Sequence, residues 1–533
     1  MVVVVVVLPD DGVADFHRQF TGAVALVLHA DGVALFRLLR RRLILGFVGG
    51  ECNGTRQEKT RQQADECATI PGHQILKLQT PIDSLYYIVP PGDQSLVENG
   101  QEFSRMSEKI IRDPVHDVVA FRLDRPLDAL LFALLNAEEF QRLRRIRQLG
   151  MASLAYPGAD HSRYSHSLGV METARKILDQ LRRDFASRIN EEGETICLVA
   201  ALLHDLGHGP FSHVFERVSG IHHERLTQRV IMDAHSEIHR ILIKFDKHMP
   251  DKVVEFLQCK PKRTFYCDVI SSQLDADRLD YLLRDNLMTG SGYGAYDLGW
   301  LLKALTIDEQ GDRLAVTYKG VSAVEAYLQS RYHMYRNVYF HKVVRSAEGM
   351  VKLALQRAKR LAVQERLEWP PRESAVQKAL TGQRMSIRQF TELDDVNVLH
   401  AFKLWTSSGD KILAALCHGL LYREVYKTID LSRVNDAQVR TIATRAERAI
   451  AEEGGEPEYE MFLDQPADTP YAVEASGASE IMIRDDHAGR MIPFASVSPL
   501  TVALNQQTSF SRIHVAGRWR DLVAKVVKDE LKG

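Results

Sequence analysis

Cysteine is scarce in this chain of 533 residues: there are six, at positions 52, 67, 197, 259, 267 and 417, and none falls in a Cys-x-x-Cys pair. That irregular spacing argues against a zinc ribbon and a disulfide framework and points to a reducing cytoplasm. An excess of either charge is missing as well. With 68 Lys and Arg against 70 Asp and Glu, the formal net charge is −2, so the chain is no polycation poised for nucleic acid or an acidic membrane, and any anion site must be local. Long apolar runs are absent too. The opening Met1-Val-Val-Val-Val-Val-Val-Leu-Pro-Asp10 lacks the basic n-region of a secretory signal. The stretch from Val24 to Leu39 is broken by His29, Asp31 and Arg37, short of the about 20 apolar residues a membrane span needs. No internal repeat stands out. What remains is a globular composition, 45% hydrophobic and 26% charged with 33 Gly and 18 Pro, which excludes disorder and fibrous folds.

Residues 49–100 are rich in Gln, Cys, Gly and Pro with little periodicity; at Met106 the text changes to Ser-Glu-Lys-Ile-Ile-Arg-Asp-Pro-Val-His-Asp117. The expectation is that the functional polypeptide starts at Met106, with residues 1–105 an N-terminal extension, untranslated or poorly ordered, that carries no site residue. A small regulatory domain is the competing reading. From there the pattern is helical. Asn136–Gly150 places Phe140, Leu143 and Ile146 at helical spacing with Gly150 where a C′ residue belongs, and Arg142, Arg144, Arg145 and Arg147 crowd one end. Further helices are expected at Ser165–Leu181, Glu194–Leu206, Val269–Asp285 and Val321–Val363, with a hairpin at Leu305–Tyr318 around Gln310-Gly311. Beyond Tyr422, strands at 422–429, 458–463, 479–484 and 511–515 alternate with helices at 435–452, 498–506 and 518–531, an order that suggests a split βαβ unit. The fold class is therefore mainly α, a helical core over 106–410 followed by a small α+β C-terminal domain over 411–533.

Seven of the 20 histidines, His161, His166, His204, His208, His213, His222 and His223, fall within residues 161–223. Neutral imidazole is both a common metal ligand and a proton shuttle. The eight apolar residues from Ile196 to Leu203 describe a helix buried all round, and it ends in His204-Asp205. Two such groups there need a metal or tight pairing. Adding His166 and Asp277 makes a set of two His and two Asp, whose mixed nitrogen and oxygen donors suit Mn²⁺, Fe or Mg²⁺ and leave room for water and a phosphate oxygen. Arg278, Tyr281 and Asp285 share one helical stripe.

The wider text around these residues reads Phe140-Gln-Arg-Leu-Arg-Arg-Ile-Arg-Gln-Leu-Gly150, His161-Ser-Arg-Tyr-Ser-His-Ser-Leu-Gly-Val170, Leu203-His-Asp-Leu-Gly-His-Gly-Pro-Phe-Ser-His213 and Asp275-Ala-Asp-Arg-Leu-Asp-Tyr-Leu-Leu-Arg-Asp285. With His166, His204-Asp205 and Asp277 as an H…HD…D signature, the chain resembles the HD-domain metal-dependent phosphohydrolases. Within them it looks like the deoxynucleoside triphosphate triphosphohydrolase branch, most of all the bacterial relatives of the vertebrate SAM- and HD-domain enzyme. The resemblance runs from Lys109 to Arg360, more loosely to the C-terminus, and includes no SAM domain.

That resemblance implies a dGTPase-like activity: hydrolysis of a dNTP to deoxynucleoside and inorganic triphosphate by metal-activated water attack at the α-phosphorus. It implies His166, His204, Asp205 and Asp277 as ligands of a divalent metal (Mn, Fe or Mg). His208, His213 and His223 would line the α-phosphate side, where a protonated imidazole donates to the leaving 5′-oxygen, with Glu216 orienting His213. Arg163, Arg278 and Arg331 would meet the phosphates. Tyr281 and Asp285 would take the sugar and its 3′-hydroxyl, bordered by Gln148 and Leu149, while Tyr339 shields the 2′ position. Phe340 stands where the vertebrate enzyme has Gln near the base, so base preference does not carry over. Lys109, Gln141 and Arg144 match an activator site in which Asn136 replaces an Asp; a guanine nucleotide activator and a homodimer or homotetramer are thereby implied. Two other readings stay open: an HD phosphodiesterase or phosphohydrolase acting on a cyclic or hyperphosphorylated nucleotide, and a nucleic-acid-binding or defence protein using the fold as a sensor, which the Arg142–Arg147 cluster would serve. No membrane partner is expected, and the location is cytoplasmic.

Overall fold

The computed structural model describes residues 74–79, 84–89, 108–259, 264–308, 310, 312–369, 375–471, 480–485 and 489–532; for the first two segments and for His213 only the backbone is described. The chain divides into two compact units, one of residues up to Lys109 with Arg122–Arg125, the other of Ile110–Phe121 and Pro126 onward. In the first, β1 (Gln74–Gln79) pairs antiparallel with β2 (Ser84–Val89), Gln74 opposite Val89. Both are rich in the β-branched, aromatic and aliphatic residues that suit a pleated surface. The rest of the expected extension lies outside the described residues.

The second unit opens at Ile110 within β3 (Glu108–Asp113), which is joined to β4 (Asp117–Arg122) by a turn in which the Asp113 carboxylate accepts from the amides of Val115 and His116. Five helices follow: α1 (Pro126–Asn136), α2 (Arg163–Phe185), α3 (Glu191–Leu203), α4 (His213–Ser219) and α5 (His223–Met232). Asn190 caps α3 by accepting from the Gly193 amide, and Glu191, Glu192 and Glu194 occupy its positive end. Its residues from Cys197 to Leu203 are all buried, as the apolar run requires. The expected helix at 136–150 is instead a short turn, Glu138–Gln141, and a 3₁₀ turn, Arg142–Arg145. Arg142 accounts for the break. It is fully buried, and its Nε and Nη2 donate to the carbonyls of Leu393 and His208, both at 2.8 Å.

Helix α6 (Ala276–Thr289) begins only at Ala276, because Asp275 turns its carboxylate onto the Arg278 amide as an N-cap; residues 265–270 form a separate helix. Strands β5 (Leu305–Ile307) and β6 (Leu314–Thr317) make the expected antiparallel hairpin, its Gly311 outside the described residues. The expected 321–363 helix is two, α7 (Val321–Met334) and α8 (Lys342–Val363), separated by a π turn at Tyr335–Tyr339. Such turns concentrate at functional sites. Helices α9 (Asp395–Trp405) and α10 (Lys411–Leu421) complete the helical core: Leu413, Leu416, Cys417 and Leu420 of α10 are buried with Met350, Val351, Ala354 and Leu361 of α8.

In the C-terminal part, β7 (Lys427–Asp430), α11 (Asp436–Glu452) and β8 (Met461–Asp464) form a βαβ unit. Between its strands runs β13 (Arg512–Val515), antiparallel to both, with Val515 opposite Lys427 and Met461. This is the expected split βαβ arrangement. Helix α12 (Arg520–Glu530) and α11 close its core through Val439, Ile442, Ile450, Ile513, Val523 and Val527. The intervening residues make β9 (Ala467–Asp468), β10 (Met482–Asp485), β11 (Arg490–Pro493) and β12 (Thr508–Ser509). Here the expectation for 479–484 is corrected. Strand β10 does not join the C-terminal sheet; it pairs in parallel with β6, Ile483 opposite Val316, in a sheet ordered β11-β10-β6-β5. Among the described residues no helix is long and apolar enough to cross a membrane.

Candidate active site

Three helix ends converge. The first turn of α2 carries Arg163 and His166, the C-terminal end of α3 delivers His204 and Asp205, and the first turn of α6 carries Asp277. His166 Nε2 lies 3.0 Å from Asp277 Oδ1, and His204 Nε2 lies 3.8 Å from the same atom and 3.4 Å from Asp205 Oδ1. Donor atoms of His166, His204 and Asp277 all sit within 4.8 Å of one another. A cation with ligand distances of about 2.1 Å separates neighbouring donors by about 3 Å, so the set has the right dimensions. Two observations on the histidines agree with that fit. His204 Nδ1 is engaged by the Ala201 carbonyl at 2.9 Å while its buried Nε2 has no hydrogen-bond partner among the described residues. His166 Nδ1 is held by Asp280 Oδ2 at 2.8 Å, which leaves Nε2 facing the site. Burial opposes a charge on His166, yet hydrogen bonds to Asp277 and Asp280 raise its pKa to about 10; a bound cation would take the place of that proton. Asp205 also pairs with Arg163.

Behind these donors stands a buried ionic chain that the sequence reading did not single out. Asp280 receives His116 Nε2 at 2.9 Å and Arg284 Nε and Nη2 at 2.9 and 2.8 Å, and Arg284 Nη1 reaches Asp113 at 2.8 Å. The signal was present: Asp280 lies one turn after Asp277, and Asp113 and His116 lie in the stretch where the chain changes character.

A cavity of about 460 Å³ opens from this cluster. One wall is formed by Arg163, His166, Asp205, His208, His223 and Asp277, a second by Gln148, Leu149, Tyr281, Asp285 and Tyr339. The imidazoles of His208 and His223 stack at 3.9 Å, and His223 Nδ1 meets Glu216 Oε2 at 2.9 Å, whose other oxygen meets His222 Nδ1 at 3.0 Å. The described bonds of Glu216 thus go to His222 and His223; the side chain of His213 lies outside the described residues. Burial and the charge of Arg163 push the His208 pKa down to about 3, so it is neutral as it stands. On the second wall, Asp285 is clasped by Tyr339 Oη at 2.7 Å and His161 Nε2 at 2.8 Å. A third wall, which sequence reasoning did not find beyond Phe340, combines Met151, Val344 and Val351 with Arg217, Arg345 and Glu348.

Two expected phosphate ligands stand back from the cavity. Arg278 Nη1 donates to Asp275 at 2.7 Å, and Arg331 Nη2 to Asp468 at 3.4 Å; both act electrostatically on Tyr327. Of the expected activator residues, Gln141 accepts from Arg144 Nε at 2.8 Å, Arg144 lies over the Tyr164 ring, and Asn136 is exposed at the end of α1. Lys109 belongs to the first unit.

The family description "HD domain" matches residues 163–260, and "HD associated region" matches 296–368. The chain is 37% identical over 373 residues to an uncharacterized protein, YwfO, of Bacillus subtilis, covering 70% of this chain and 83% of that protein. Identity to a Dictyostelium discoideum protein described as a deoxynucleoside triphosphate triphosphohydrolase SAMHD1 homolog is 32% over 285 residues, 50% of this chain and 53% of that one. The crystal structure of a phosphohydrolase from Bacteroides thetaiotaomicron matches with a TM-score of 0.65 at 26% identity, over 77% of this chain and 100% of that one. His166, His204 and Asp205 fall inside the first matched range; Asp277 lies between the two.

Proposed function

Because the chain belongs to the HD-domain phosphohydrolase family, we propose that it is a metal-dependent dNTP triphosphohydrolase that releases a deoxynucleoside and intact inorganic triphosphate. The observation that carries the reading is the second wall of the cavity, beside the metal donors. There Asp285, oriented by Tyr339 and His161, offers a carboxylate to a 3′-hydroxyl, and the Tyr339 ring closes the space a 2′-hydroxyl would need. A divalent cation held by His166, His204, Asp205 and Asp277 would supply Lewis acidity at the α-phosphate.

The chain's own groups do the rest. Arg163, Arg278 and Arg331 are each paired with an aspartate, Asp205, Asp275 and Asp468 respectively; an incoming triphosphate would compete with Asp205 for Arg163, while Arg278 and Arg331 would have to turn from their aspartates toward the cavity to meet it. His223, which lines the cavity with its Nδ1 on Glu216, can pass a proton to the 5′-oxygen as the bond from that oxygen to phosphorus breaks. No covalent enzyme adduct is required, so orientation and charge stabilisation account for the rate. Asn136, Gln141 and Arg144 are taken as part of a guanine-nucleotide activator site, and a homodimer or homotetramer as the working form.

The test is to incubate the protein with each dNTP and the matching NTP in Mn²⁺, with and without GTP, and to resolve products by ion exchange. Deoxynucleoside and triphosphate in equal amounts from dNTPs alone are expected, with at least a 10³-fold loss in the His204→Ala/Asp205→Ala variant, on the order expected when a metal site is removed. Turnover of cyclic nucleotides in place of every dNTP would overturn the reading.

A further inference from the structure

The segment joining α3 to α4 carries Asp205, His208 and Ser212, and its backbone is strained where it meets the cavity. Phe211 and Ser212 have φ of 50° and 51°, a conformation that non-glycine residues hold only when the surroundings over-determine it. The strain has a visible result: the Ser212 hydroxyl accepts from Arg163 Nε at 3.0 Å and Nη2 at 2.8 Å, and so fixes the guanidinium that faces Asp205.

What over-determines the turn comes from outside the segment. Asp395 Oδ1 accepts the Phe211 amide at 2.8 Å, and its Oδ2 accepts the Arg147 amide at 2.9 Å. Asp395 is 3% exposed and is not needed as a helix cap, since Asp394 already caps α9 by accepting from the Asn397 amide. The Phe211 ring stacks on Phe402 of the same helix at 6.3 Å. From the adjoining turn, the Leu393 carbonyl receives Arg142, whose other nitrogen holds the His208 carbonyl. Leu393 and Asp395 lie beyond both matched family ranges, which end at residue 368.

We propose that Asp395 is a positioning residue: one carboxylate clamps the strained Phe211–Ser212 turn to the Arg147–Leu149 turn, and thereby sets the spacing between the phosphate wall and the sugar wall of the cavity. Gln148 and Leu149, which border the sugar wall, follow directly after the clamped Arg147 amide. Its kinetic consequence rests on the dNTP reading; the clamp itself does not.

The experiment compares Asp395→Ala with Asp394→Ala in the full chain. Asp394 makes a cap and an ion pair with Arg145 but bonds to neither the Phe211 amide nor the Arg147 amide, so it controls for general destabilisation at the same helix end. Hydrogen–deuterium exchange of the 206–214 peptide is expected to accelerate by about tenfold in Asp395→Ala and to stay as in wild type in Asp394→Ala. With dNTP, kcat should fall by about tenfold or more in Asp395→Ala, with KM within about threefold and Mn²⁺ affinity by calorimetry unchanged, while Asp394→Ala keeps its kcat. Should the Ala variant not fold, Asp395→Asn, which keeps the shape and one acceptor, is expected to show the same pattern at smaller amplitude. Equal effects of the two positions, or unchanged exchange in Asp395→Ala and Asp395→Asn, overturn the proposal. Faster exchange in a protein that hydrolyses no dNTP would uphold the clamp and overturn the substrate reading.

Discussion

At the scale of single residues, the candidate metal donors were legible because a His-Asp pair at the end of a wholly apolar helix has to be matched by a cation or an opposite charge. The groups that orient them were not legible in the same way. Asp280 and His116 are ordinary polar letters until the fold brings them to 2.9 Å, and Asp464 is another of this kind. Its carboxylate receives Arg345 Nη2 at 2.6 Å and Nε at 3.1 Å across the junction between α8 and β8. Burial would raise its pKa, but His514 beside it and Arg345 together bring it from 3.8 down to about 2. A folded-state value below the unfolded one means stability that is present above pH 3.8 and drains away as pH falls toward 2, about 2 kcal/mol in all. In urea titrations between pH 5 and pH 3, wild type should therefore lose stability more steeply than Asp464→Asn, which should start lower at neutral pH by a similar amount. Parallel pH profiles for the two proteins would rule the interaction out.

At the scale of elements, periodicity located the helices but not their breaks. The 269–285 and 321–363 stretches keep an apolar stripe across Asp275 and across Tyr335–Tyr339, so nothing in the period marks the N-cap that starts α6 or the π turn that separates α7 from α8. Both breaks serve the cavity, since they set the directions of Asp277 and Tyr339. The crossing of α2 and α6 depends on one missing side chain. A Cβ at Gly169 would lie 1.9 Å from Asp280 Oδ1 and 2.2 Å from Arg284 Nη2, so Gly169→Ala must either push the helices apart or split a buried ion pair. Breaking such a pair costs about 3 to 5 kcal/mol. The variant is expected to lose about that much in denaturant titrations and to bind Mn²⁺ at least tenfold more weakly, because Asp280 holds His166. Gly409→Ala, where a Cβ meets nothing within 4 Å, should change stability by no more than about 0.5 kcal/mol.

At the scale of the whole molecule, the C-terminal part reads in sequence as an appended α+β domain, and its three-stranded sheet is one. Alternating strands, however, carry no address for their partners, so the pairing of β10 with β6 and the return of Asp468, Phe510 and Arg512 to the helical core could not be foreseen. That return is where the C-terminal part meets the proposed chemistry. Arg512 Nη1 donates to the Phe340 carbonyl at 2.5 Å, the Phe510 ring lies 6.1 Å from that of Phe340, and Asp468 reaches Arg331 at 3.4 Å. The last pair is incompletely satisfied: Arg331 Nε and Asp468 Oδ2 are both buried without a hydrogen-bond partner among the described residues. A long single contact between groups that each keep an idle atom is easily exchanged, and a phosphate oxygen offers Arg331 a shorter, bidentate partner. On the proposed reading, Asp468 then competes with the substrate for the same guanidinium. Replacing it by Asn removes the competing charge and keeps the shape, so Asp468→Asn should lower KM for dNTP and Ki for tripolyphosphate by about three- to tenfold with kcat little changed, as expected when a ground-state competitor is removed. Were Asp468 instead holding Arg331 in place for the phosphate, the same substitution would raise both constants.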